Sequence, residues 1–92
     1  MDNWFTIKET EEHTKIPHQT IRRYIDRHGY HLKLKRKHKS ILLHETSIET
    51  LQKIRLWYSE NNTADQVDAL LVNDGVPMTI EYDEKDHENV SI

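Results

Sequence analysis

Cysteine is absent from the chain, and with it every disulfide staple and thiolate metal site. Only two of the 92 residues are glycine, so there is no glycine-rich loop of the kind that cradles a phosphate. No apolar run approaches the roughly 20 residues that a bilayer-crossing helix requires. The opening Met1-Asp2-Asn3-Trp4 has neither the basic start nor the apolar stretch of a signal peptide. These absences lead us to expect a soluble, cytoplasmic protein. No Ser-His-Asp order and no pair of carboxylates in an apolar setting can be made out, so neither enzymatic activity nor a cofactor is expected. At this length the chain supports one compact core of short elements and no large cavity.

The formal net charge of −3 conceals a strong asymmetry. Residues 15–39 hold nine Lys or Arg against Asp26 alone, whereas residues 40–92 hold three basic residues against eleven acidic ones. A polyanion meets the local field rather than the average, so the central block is a candidate nucleic-acid surface despite the overall sign.

The order of elements puts that block in context. Thr6 with Glu9 has the spacing of a capping box, and Ile7, Thr10 and Thr14 recur on one helical face. A first helix of about two turns is expected. Lys15-Ile16-Pro17 interrupts it, because proline disfavours helical geometry in the residue before it and suits the start of the next helix. The second helix is expected from about His18 to His28, with Ile21, Ile25 and His28 inward, Gln19, Arg22, Arg23 and Asp26 outward, and Gly29 as its stop. From Tyr30 the period becomes two. Leu32 and Leu34 alternate with Lys33 and Lys35, and Ile41-Leu42-Leu43 supplies a second extended run, which together predict a hairpin tipped by Arg36-Lys37-His38-Lys39. Thr46 with Glu49 then predicts a helix carrying Ile48, Leu51, Ile54 and Tyr58 on one stripe, and Thr63 with Gln66 a fourth helix carrying Val67, Leu70 and Leu71. Val76 to Tyr82 alternates as a strand or dimerisation segment would, and 83–92 is an acidic segment expected to be disordered. The DNA-binding unit would thus occupy 1–75.

Helix, short turn, helix and basic hairpin is the arrangement that sets one helix in a DNA groove and a β-wing on the flanking backbone. At the start of such a helix, His18, Gln19 and Thr20 would reach base edges, glutamine being suited to adenine N6 and N7. Arg22, Arg23 and Arg27 would pair with phosphates or guanine, and the positive end of the helix would face a phosphate. Lys35, Arg36, Lys37, His38 and Lys39 would contact the backbone from the wing. Wing lysines also discourage edge-to-edge strand pairing, which is the competing explanation for them.

The stretch Trp4-Phe5-Thr6-Ile7-Lys8-Glu9, then Thr14-Lys15-Ile16-Pro17 and Thr20-Ile21-Arg22-Arg23-Tyr24, resembles the opening of a MerR-like winged helix-turn-helix domain. The resemblance extends over roughly residues 4–73, in a style similar to the chromosome-anchoring RacA-like domains of Bacillus. It implies a mainly α fold of four short helices with a small β-hairpin. It also implies that Arg22 and Tyr24 approach the DNA backbone. Lys15 stands where a glycine is common in the turn, Thr10 where alanine is common, and the wing tip has no glycine. The long dimerisation helix and effector-binding part usual in MerR regulators are not seen in these 92 residues, so the implied role is DNA binding without effector sensing.

The expected partner is double-stranded DNA, bound by a homodimer on paired half-sites near the nucleoid, for transcription regulation or DNA segregation. Seven histidines raise the question of a metal, through His28 with His31 or His38 with His44, but they are scattered and no metal is expected. Histidines on the helix and wing fit better as polar groups on the DNA face, and their ordinary value near 6.5 predicts modestly tighter binding on acidification. The remaining alternative is a protein-binding module in which Glu81–Glu88 contacts a partner or competes for the basic face.

Overall fold

The computed structural model describes residues 3–76. Its elements run β1 (Trp4–Thr6), α1 (Ile7–Thr14), α2 (His18–His28), a 3-10 turn (Gly29–His31), β2 (Leu34–Lys37), β3 (Ser40–His44), α3 (Glu45–Ser59) and α4 (Ala64–Asn73). Residues 77–92, which include most of the expected 76–82 strand and the whole acidic segment, lie outside the described residues.

Both capping boxes that bracket the fold are formed. Thr6 accepts from the Glu9 N–H at 3.1 Å while Glu9 accepts from the Thr6 N–H at 2.9 Å. Thr63 and Gln66 exchange the same pair of bonds at the start of α4. Each pair satisfies two amide donors that the first helical turn leaves without partners. The α1–α2 turn closes through Lys15, which takes left-handed backbone angles (φ 64, ψ 15) and donates its N–H to the Glu11 carbonyl. That is glycine's usual geometry at a helix end, here adopted by a residue with a Cβ.

Three expectations are corrected. α2 ends at His28 with Gly29 as its C-cap, as expected, but Gly29 keeps right-handed angles (φ −57) and leads into the 3-10 turn, so the hairpin begins at Leu34 and not at Tyr30. The cap of α3 is His44, whose Nδ1 accepts from the Thr46 N–H at 3.2 Å, and Thr46 is already inside the helix. The sheet has three strands in the order β1-β3-β2, because Trp4–Thr6 pairs antiparallel with Leu42–His44.

The register decides where the wing's charges point. Opposed residues share a face, so Phe5, Leu43, Leu34, Ile41 and Arg36 fall on one side, and Trp4, His44, Leu42, Lys35, Lys37 and Ser40 on the other. The first side joins the core, where Ile16, Ile21, Leu43, Leu51, Ile54, Val67 and Leu71 are fully buried. Each such side chain contributes on the order of 1.5–3 kcal/mol relative to exposure. On α3 the inward face is Ser47, Thr50, Leu51 and Ile54, while Ile48 and Tyr58 are half-buried.

Candidate nucleic-acid interface

The exposed face of α2 carries His18, Gln19, Arg22, Arg23 and Asp26, with Thr20 half-buried. This phase follows from Ile21, Tyr24, Ile25 and His28, which occupy the inward positions of the same helix. Among the described residues, no ion pair engages Arg22 or Arg23, so both guanidinium groups are available to a ligand.

The hairpin tip is a two-residue loop, since Lys37 pairs with Ser40 and leaves His38 and Lys39 between them. His38 holds φ 55 there, the left-handed conformation that glycine adopts without cost. Lys37, His38 and Lys39 project from the end of the sheet into solvent.

The wing and α2 come together through Arg36. It lines a cleft of about 230 Å³ with Ile25, Asp26, Gly29 and Tyr30, placing one wing cation beside Asp26 at the C-terminal end of the helix. Tyr30 is 67% exposed in this cleft. It joins the candidate surface as a residue that sequence reasoning assigned only to a strand start; its signal was an aromatic directly after the helix-ending glycine. Lys35 takes the opposite direction, its Nζ 4.8 Å from the centre of the Trp4 ring, with Lys33 at 6.0 Å. A cation held over an indole gains quadrupole attraction and stays close to the sheet. The strand's period of two therefore divides the wing cations between the two faces of the sheet.

Three further expectations for α2 are revised by its neighbours. Tyr24 is only 7% exposed and stacks on Tyr58, with ring centres 5.4 Å apart and planes at 11°, so the ring implied as a backbone contact belongs to the core. Arg27 bonds the Asp65 carboxylate at 2.6 Å and lies 3.6 Å from Asp68, an exposed pair that turns its guanidinium toward α4. The N-terminus of α2 is occupied as well. Pro17 provides no side-chain cap, and the Glu11 carboxylate accepts from the His18 N–H at 2.8 Å, filling the position where a phosphate was expected.

The histidines divide in the same way. His18 is 56% exposed beside Glu11, and His38 is exposed at the wing tip. His28, His31 and His44 are buried, so they are not DNA-facing groups. His28 Nδ1 lies 2.6 Å from an Asp68 oxygen and its Nε2 2.5 Å from the Tyr58 hydroxyl. A carboxylate can only accept, which assigns the ring proton to Nδ1 and makes Nε2 the acceptor of the Tyr58 hydroxyl proton. Burial lowers the His28 pKa below its ordinary value, against the opposing hydrogen bond and charge of Asp68. Burial also raises that of Tyr58, which keeps its phenol protonated. Among the described residues no group of three or more His, Asp or Glu is arranged to hold a metal, and no helix is long and apolar enough to cross a membrane.

No family model, curated protein or solved structure matches this chain.

Proposed function

We propose that this chain is a sequence-preferring double-stranded DNA-binding domain of the winged helix-turn-helix type, MerR-like in its plan, acting in transcription regulation. On this reading α2 enters the major groove, His18, Gln19 and Thr20 meet base edges, Arg22 and Arg23 meet phosphates or guanine, and Arg36, Lys37, His38 and Lys39 hold the backbone from the wing. Lys35 contributes from the Trp4 side of the sheet. The observation that carries the reading is the cleft through which Arg36 of the wing meets the C-terminal end of α2 at Asp26, inside the one strongly basic stretch of the chain. It is a reading of binding without catalysis.

The neighbouring role, anchoring DNA during segregation, would use the same contacts. Two copies on paired half-sites are the expected arrangement, because a single short helix reads only a few base pairs.

The test is selection of bound duplexes from a random pool, followed by a salt titration of the winning site and sizing of the complex. A shared motif is expected, with log affinity falling by about 0.9 per phosphate neutralised for each tenfold rise in salt. Failure to retain any duplex at low salt would overturn the reading. Retention without a motif would keep DNA binding and remove its sequence preference.

A further inference from the structure

We propose that His28, Tyr58 and Asp68 form a positioning clasp for the reading helix, closed while His28 is neutral and opened when it takes up a proton. The clasp joins three helices at one ring. His28 ends α2, Tyr58 lies near the end of α3, and Asp68 lies on the middle turns of α4. The imidazole is fully buried and both of its nitrogens are used. The link ties the C-terminal end of α2 to both supporting helices and thereby fixes the angle at which α2 presents its exposed face. This proposal rests on the DNA-binding reading only in its last consequence, since the chemistry of the clasp does not involve DNA.

The charged and titratable groups around the ring explain why a proton there is unwelcome. From α2 come Arg27 and Tyr24, from the 3-10 turn His31, from α3 Tyr58 and from α4 Asp68, with Asp65 beyond Arg27. The single carboxylate of Asp68 serves three positive or potentially positive groups, lying 2.6 Å from His28, 3.7 Å from His31 and 3.6 Å from Arg27. Its countercharge is therefore already shared before His28 ionises. The Nδ1 of His31 is buried without a partner, so a second imidazole at this junction is only partly satisfied. Protonation also turns Nε2 from acceptor into donor, so Tyr58 keeps the bond only by accepting and must turn its own proton away from the ring.

The sign follows from linkage. A histidine whose folded value lies below its unfolded one contributes stability that is fully present above the ordinary value near 6.5 and is lost as pH falls through the folded value. Burial, the largest cause, sets that direction for His28, and the charges of Arg27 and His31 add to it. Acid should therefore loosen α2, whereas added positive charge at a DNA surface would tighten binding. The two responses have opposite signs and separate experimentally.

The decisive measurement is a proton NMR titration of the histidine ring resonances in the full chain, paired with denaturant midpoints between about pH 7.5 and pH 5. His28 is expected to titrate below the free value, and the parent's midpoint to fall more steeply with acid than that of His28→Gln, whose amide can donate and accept without ionising. Titration of His28 at or above 6.5, or equal pH slopes in the two proteins, overturns the clasp. Tyr58→Phe keeps the ring stack on Tyr24 but removes the donor that favours neutral imidazole. In that variant the His28 titration should move upward, and an unchanged or lower value would overturn the clasp even if His28→Gln did not fold. Binding of a selected duplex should weaken several-fold more on acidification in the parent than in His28→Gln. If no duplex binds at any pH, the functional reading fails while the ring titration still decides the clasp.

Discussion

The two ends of α2 carry the same residue type and use it in opposite ways. His18, in the first turn, is exposed and has its backbone N–H capped by Glu11. His28, in the last turn, is buried between a carboxylate and a phenol on two other helices. The arginines divide likewise: Arg22 and Arg23 face solvent, and Arg27 pairs with Asp65. Residue type alone therefore does not mark a DNA contact. Helical phase, together with what α4 brings to the far end, decides which cations and imidazoles remain for a ligand.

The largest effect should come from breaking the buried end. His28→Ala removes a ring that satisfies Asp68 and Tyr58 and leaves a void among three helices. A loss of about 3 kcal/mol of folding stability is expected, typical of orphaning buried polar partners in a packed site. Denaturant unfolding near neutral pH measures it. A loss under about 1 kcal/mol would mean that water replaces the ring and that this end of α2 is not fastened as described.

The exposed end is tested by Arg22→Ala combined with Lys37→Ala, one cation from the helix and one from the wing. Duplex affinity should fall for all sequences by about 10- to 100-fold, and the salt slope by roughly 1.8 if each cation neutralises one phosphate. Folding stability should change little, since both side chains are exposed. Gln19→Ala should instead cost about 1–3 kcal/mol of discrimination at one base pair while leaving binding to other sequences nearly unchanged. If both variants bound the selected duplex as tightly as the parent, the interface would have to lie elsewhere.

Much of this division is legible in the sequence, and the rest is hidden for identifiable reasons. Ile21, Ile25 and His28 read as inward because they recur at helical spacing, and the Thr6 and Thr63 capping boxes read directly from residue type and offset. The resemblance points Tyr24 toward DNA, but it lies one turn from both Ile21 and His28 at the edge of the inward arc, and its stacking partner Tyr58 is 34 positions away. Asp65 and Asp68 are also distant in sequence from Arg27 and His28, so no local pattern announces those pairs. Trp4–Thr6 is too short to show alternation and becomes a strand only by pairing with β3. A charge count over 15–39 does not separate Arg36 from Lys35, which the pleat sends to opposite faces of the sheet. Lys15 and His38 hold positive φ without being glycine, at the turn and the wing tip where the missing glycines are visible in the sequence but the backbone angles are not.

Lys15 gives the next smaller effect. Its left-handed backbone costs a residue with a Cβ on the order of 1 kcal/mol, which glycine avoids while losing more chain entropy on folding. Lys15→Gly should therefore raise stability by about 0.5 kcal/mol, read as a small increase in denaturant midpoint. Destabilisation would indicate that the lysine stem contributes packing at this turn.

The smallest effect should come from Glu11→Gln, which bears on whether the exposed end of α2 is optimised for folding or for ligand. The carboxylate both accepts from the His18 N–H and places a negative charge at the helix's positive end, worth about 0.3–1 kcal/mol to the fold at low ionic strength. Glutamine keeps an acceptor oxygen but removes the charge, so stability should drop by a few tenths of a kcal/mol. The same change removes a repulsion next to the residues assigned to base edges, so duplex affinity should rise a few-fold at low salt and converge with the parent at high salt. Opposite signs in folding and binding would place Glu11 at the border of the interface, holding α2 in position at some cost to anion binding. A parallel loss in both would mean that the cap's contribution to helix geometry outweighs its charge, and that the start of α2 must be held by a carboxylate before it can read DNA.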